Sequence, residues 1–156
     1  MTNNNNFDKI HPKMELKIFL RETQVRSDLN MDAQDSLKAI LAVVRSIHPF
    51  SEYLEYYLSA KGTRPRALAR SAGYDASTIA HWRKRRRLPD GAALYRISRT
   101  LNLTNTQSQQ FLLAWIVTRI MRDMEAYVEA ALKDDPCDAE FVQNLLSVIR
   151  GFSDSI

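Results

Sequence analysis

The stretch TRPRALARSAGYDASTIAHWRKRRRLP, residues 63–89, decides the fold of this chain. It divides into two short helices. Thr63 caps the first, over 64–72, and Pro65 sits in its opening turn, where a missing N–H costs nothing. Gly73 stops that helix. Asp75 caps the second, from 76 to about 85, and Pro89 bounds it downstream. Two short helices cross tightly only if a small residue lies at their closest approach, and Ala69 holds that place. The turn between them reverses within about three residues and needs positive φ, which Gly73 supplies. Leu68, Ala72, Ile79 and Trp82 are spaced so that both helices bury one face together.

Outward from this pair, the pattern stays helical. Ser51 reads as the N-cap of a helix over 51–60, which Gly62 ends. A helix over 90–101 turns Leu94, Ile97 and Leu101 inward. Further out, a helix over 32–47 carries Leu37, Ile40, Leu41, Val44 and Ile47 on one face and stops at Pro49. A shorter amphipathic helix over 13–28 uses Leu16, Phe19 and Leu20. On the other side, 106–133 forms one long helix in which Leu113, Val117, Ile120, Met124, Tyr127 and Ala131 recur at alternating spacings of four and three, a heptad-like seam. Asp134, Asp135 and Pro136 break it before a last helix over 138–152. The chain holds only four Gly, three of them (Gly62, Gly73, Gly91) in one short window, so turns are scarce elsewhere and the fold reads as all-α.

Charge marks the same segment. Residues 61–99 hold eleven Lys/Arg against two Asp, a net +9; the whole chain is +4, so the remainder carries −5. A basic middle between acidic ends suits a polyanion-binding module on a scaffold. At 45% hydrophobic and 26% charged, the chain is ordinary globular material with enough apolar residues for a core. The lone Cys137 has no internal disulfide partner and no CxxC or basic neighbour, which suggests a reducing compartment and an incidental thiol. No run approaches a membrane span and the N-terminus lacks the pattern of a secretory signal, so the expected place is the cytoplasm, in association with the nucleoid. His11 and His48 stand apart from any second ligand, and no metal or other cofactor is expected. No Gly-rich phosphate loop, GxSxG elbow or HExxH is present, and an enzyme is not expected.

Residues 51–103, about a third of the chain, resemble the Cro/CI-type (XRE) helix-turn-helix regulators of bacteria and phages. The likeness rests on FSEYLEYYLSAKG before the motif, on the LAxxAG pattern of Leu68 to Gly73, on STIAHWR in the second motif helix, and on LPDGAALYRISRTLNL after it. One departure lies just past the second helix, where the family usually carries Gly and this chain has Arg85, Arg86 and Arg87. The resemblance implies a lambda-repressor-like helix-turn-helix unit over 50–104. Around it lie a flexible arm (1–12), an N-terminal helical extension (13–49) and C-terminal helices (105–156) for packing and dimerisation.

It further implies that helix 76–84 enters the major groove of double-stranded DNA. Ala76, Ser77 and His81, with Thr78 nearby, fall on the family's base-contacting places. The chemistry agrees: Ser donates or accepts at any base, Ala meets a thymine methyl, and neutral His donates to guanine N7 or O6. Arg64, Arg66, Arg70, Arg83, Lys84, Arg85, Arg86 and Arg87 are the candidate phosphate ligands. Trp82 belongs to the core by its spacing from Ile79.

The expected function is sequence-specific transcriptional regulation, as a repressor, by a homodimer. The expected dimer contact is the stripe Leu113, Val117, Ile120, Met124 and Tyr127, a stripe that helices also bury within their own domain. Two other readings stand beside it. An antitoxin or adaptor would bind a protein partner through the flanking helices, and a general nucleic-acid binder would use the basic run alone.

Overall fold

In the computed structural model, Arg21, residues 32–133 and residues 139–155 are described; for Val43, Ala139, Ile149 and residues 152–155 the description is of the backbone only. The arm, the helix expected over 13–28, the break at 134–136 and Cys137 lie outside these residues. The described chain is all-α, with helices α1 (Ala33–Ser46), α2 (Pro49–Ala60), α3 (Pro65–Ala72), α4 (Ala76–Arg83), α5 (Gly91–Thr100), α6 (Asn105–Lys133) and α7 (Ala139–Ser155). No described helix is long and apolar enough to cross a membrane.

The chain divides into two compact units. One is His48–Arg119; the other joins the residues up to Ile47 with those from Ile120 onward. The first part of α6 belongs to the His48–Arg119 unit.

In the His48–Arg119 unit, the core is built from Phe50, Leu54, Tyr57, Leu68, Ile79, Ile97 and Phe111, all at 0–1% exposure. Phe50 stacks on Phe111 at 5.1 Å between centroids, and Tyr57 meets the same ring edge-on at 5.6 Å. The α2 start differs from the sequence reading. Pro49 does not separate two helices; it occupies the first turn of α2 with His48 as N-cap, and Ser51 lies buried inside the turn. Proline tolerates that position because its absent N–H has no intrahelical acceptor anyway. His48 caps nothing with its side chain. Instead, the Phe50 N–H donates to Thr118 Oγ1 at 3.0 Å, and that hydroxyl donates to the Ala114 carbonyl at 2.8 Å. A residue far along the chain satisfies an N-terminal donor of α2.

Local rules fix the other ends. Arg64, not Thr63, is the N-cap of α3. Gly73 closes α3 at φ +78°, and the Tyr74 N–H folds back to the Ala69 carbonyl at 2.8 Å. Asp90 caps α5, its carboxylate accepting from the Ala93 N–H at 2.7 Å. Thr104 and Gln107 form a reciprocal capping box at the start of α6, at 3.0 and 3.2 Å. Trp115 donates from its indole nitrogen to the Pro89 carbonyl at 2.7 Å, which holds the segment before α5 against α6. Asp90→Ala removes this side-chain cap of α5 and is expected to cost about 1 kcal/mol. Thermal melts of the two proteins check this, and an unchanged midpoint would show that water serves Ala93 equally well.

In the other unit, Leu37, Ile40, Leu41 and Val44 of α1, Met121 and Val128 of α6, and Val142 and Leu146 of α7 are buried. Arg45 holds α1 to α6 through Glu125, at 2.8 Å, and Glu129. Of the expected seam, Val117 lies at 1% exposure inside the His48–Arg119 unit. That correction has a simple cause: the buried line there is Phe111, Ala114, Val117 and Thr118, and Val117 is committed to it. Ile120, Met124 and Tyr127 face instead into an open apolar groove of about 640 Å³ with Phe141, Leu145 and Val148 of α7. Tyr127 stacks on Phe141 at 5.9 Å yet stays 54% exposed.

Candidate nucleic-acid interface

Helix α4 is amphipathic by position. Ile79 and Trp82 are buried, at 0% and 4% exposure, and Trp82 packs edge-on against Tyr74 at 5.2 Å. Ala76 and Ser77 are exposed, and Thr78 and His81 are half-buried. Ser77 and His81 are one helical turn apart and share a face. Ala69, at 2% exposure, meets the requirement for a small residue where α3 and α4 pack together. Of the four candidate base-reading residues, Ser77 and His81 lie on the side of α4 opposite Ile79, Ala76 is exposed at its start, and Thr78 borders Trp82, one turn before it.

Exposed cationic groups lie on α3 and just past the end of α4. Arg64 precedes α3, Arg66 and Arg70 lie one turn apart along it, and Lys84, Arg86 and Arg87 follow α4; all are exposed. Among the described residues, Arg64, Arg66, Arg70, Lys84 and Arg87 make no ion pair. Their side chains can donate to anionic oxygens. Arg96 lies over the Tyr74 ring at 5.9 Å.

Arg83 and Arg85 stand differently. Arg83 forks onto Glu55, Nε to Oε1 at 2.5 Å and Nη2 to Oε2 at 3.3 Å. Arg85 donates from Nε to Ser51 Oγ at 3.2 Å and from Nη2 to Glu52 Oε1 at 3.3 Å. Arg85 also takes the left-handed conformation, φ +61°. The tight exit therefore forms without glycine, and it ends α4 at Arg83, two residues earlier than the sequence pattern suggests. The Arg86 and Arg87 N–H groups both turn back to the His81 carbonyl, at 2.9 and 3.3 Å.

Sequence reasoning missed Ser51, Glu52 and Glu55 as partners of this basic run. The available signal was the spacing of Glu52 and Glu55, three residues apart on one helical face. Comparison with protein-family models, with curated proteins and with solved structures finds no match.

Proposed function

We propose that the protein binds double-stranded DNA in a sequence-specific manner and regulates transcription, as a repressor of a bacterial or phage promoter. The observation that carries this reading is the outer face of α4. Short polar and small side chains (Ala76, Ser77, Thr78, His81) sit between flanking exposed cations, on a helix whose inner face is locked by Ile79 and Trp82. Such a helix fits the major groove, where side chains of these types can meet base edges while arginines meet phosphates. The likeness of residues 51–103 to Cro/CI-type regulators supports the same docking, with α3 and α4 as the helix-turn-helix.

One α4 reaches few base pairs, so a two-fold dimer on half-sites one helical turn apart is the natural assembly. We place its contact at the groove of Ile120, Met124 and Tyr127 with α7. The exposed apolar groove also favours a second reading, an adaptor or antitoxin that binds a different protein there.

Selection of bound fragments from sheared genomic DNA near physiological salt tests the reading. Enrichment of a few loci that share an inverted repeat supports it. Uniform recovery would indicate a general nucleic-acid binder, and no recovery would favour the protein-partner reading. On an enriched site, Ser77→Ala and His81→Ala are each expected to change discrimination at one base position by about 1–3 kcal/mol. Competition binding with single-base variants of the site measures this. Equal losses on every variant would remove those two residues from base reading.

A further inference from the structure

We propose that Arg85, seconded by Arg83, is a positioning residue: it moors the end of α4 to the first turn of α2 and takes no part in neutralising DNA phosphate. This rests on the DNA-binding reading and divides its basic run into two jobs.

Four observations converge on Arg85. Its backbone is left-handed at φ +61°, a conformation that disfavours any side chain with a Cβ. Glycine would be the undemanding choice there, so the side chain earns its place by what it touches. Its Nε donates to Ser51 Oγ, and Ser51 is 3% exposed. The Ser51 hydroxyl has its own proton directed to the His48 carbonyl at 3.1 Å, which leaves a lone pair facing the guanidinium. The Glu52 carboxylate then accepts from Nη2. One turn further along α2, Glu55 grips Arg83 with both oxygens, a planar fork that fixes direction as well as distance.

The Nε and Nη2 donors of Arg85 are thus turned toward α2. The consequence concerns the angle of the helix. α4 is eight residues long, and its N-terminal half presents Ala76, Ser77 and Thr78. A small tilt at its C-terminal end shifts those side chains relative to base edges, whose hydrogen bonds are directional. Phosphate contacts tolerate the same tilt, because Coulomb attraction falls slowly with distance. Loss of the mooring should therefore damage sequence discrimination while it leaves the ionic part of binding intact.

The test measures affinity against salt on two duplexes, one carrying the inverted repeat recovered by genomic selection and one of random sequence. For Arg83→Gln with Arg85→Gln, the expected result is an unchanged salt slope on both duplexes and a roughly tenfold fall in the ratio of specific to random binding. Arg87→Gln is the control and should lower the slope by about 0.9 per subunit. Glu52→Gln with Glu55→Gln should reproduce the fall in the ratio, since it cuts the same mooring from the other side. If Arg83 and Arg85 serve phosphates instead, their replacement lowers the slope by about 0.9 each, the glutamate variants bind every duplex more tightly with the ratio unchanged, and the proposal is overturned. A wild-type protein that binds both duplexes equally would sink the sequence-specific reading and this assignment together. A wild-type ratio well above one with a reduced slope in the arginine variants would sink the assignment alone.

Discussion

Phe111→Ala is expected to destabilise the His48–Arg119 unit by about 3–5 kcal/mol. The ring is fully buried, with Phe50 stacked on it at 5.1 Å and Tyr57 edge-on at 5.6 Å. Truncation removes the transfer free energy of an aromatic side chain and leaves a cavity bounded by two other rings. Collapse is resisted, because the Tyr57 hydroxyl is held by the Gln107 carbonyl at 3.3 Å and Phe50 is held by its N–H bond to Thr118. A domain of ordinary stability has about 5–15 kcal/mol in total, so the variant should sit close to unfolding. Urea titration followed by tryptophan fluorescence reads the effect in the right place, since Trp82 and Trp115 both belong to this unit. A loss below about 1 kcal/mol would mean that the three rings are not the centre of the core.

The second large effect is on DNA affinity. If Arg64, Arg66, Arg70, Lys84 and Arg87 each neutralise a phosphate, one subunit should give a slope of log affinity against log salt of about −4.5. A two-fold dimer should give about −9. Raising salt from about 50 to about 200 mM then weakens binding by roughly 500-fold for a single subunit and on the order of 10⁵-fold for the dimer. The two stoichiometries are far enough apart for a filter-binding or anisotropy titration to separate them. A slope near −1 would leave the basic face without a role in binding, and the DNA reading would fall with it. Substituting the groove residues Met124 and Tyr127 with polar side chains should move the slope from the dimer value toward the monomer value, as dimerisation is lost.

Much of the fold was legible because its signals are local. Gly73 must accept positive φ, Pro65 and Asp90 mark helix starts, and the apolar periods of α1 and α5 match their buried faces. The assignment of Ala69, Ile79 and Trp82 to the interior likewise needed only helical geometry. The candidate site was legible in part. Helical spacing alone sets Ser77 and His81 on the side of α4 away from Ile79, and the density of arginine is plain in the composition.

What failed to show in the sequence depends on partners distant along the chain. Arg83 and Arg85 look the same as Arg86 and Arg87 in a run of five basic residues, yet two of them lie against α2 and are bonded to Glu55 and Glu52. Ser51 looks like a cap because serine so often is one, while the N–H of Phe50 is served by Thr118 from α6. In α6, two apolar stripes satisfy the same three-and-four spacing. Periodicity cannot tell which is covered, since that depends on what packs alongside. The sequence by itself therefore determined the all-α class, the helix pair at residues 63–89 and the basic face around it, because backbone conformation, capping and helical period act over a few residues. Only the tertiary structure decided which stripe of α6 is buried and which arginines are tied back, because apolar burial and ion pairing are settled by whichever groups the fold brings within contact distance.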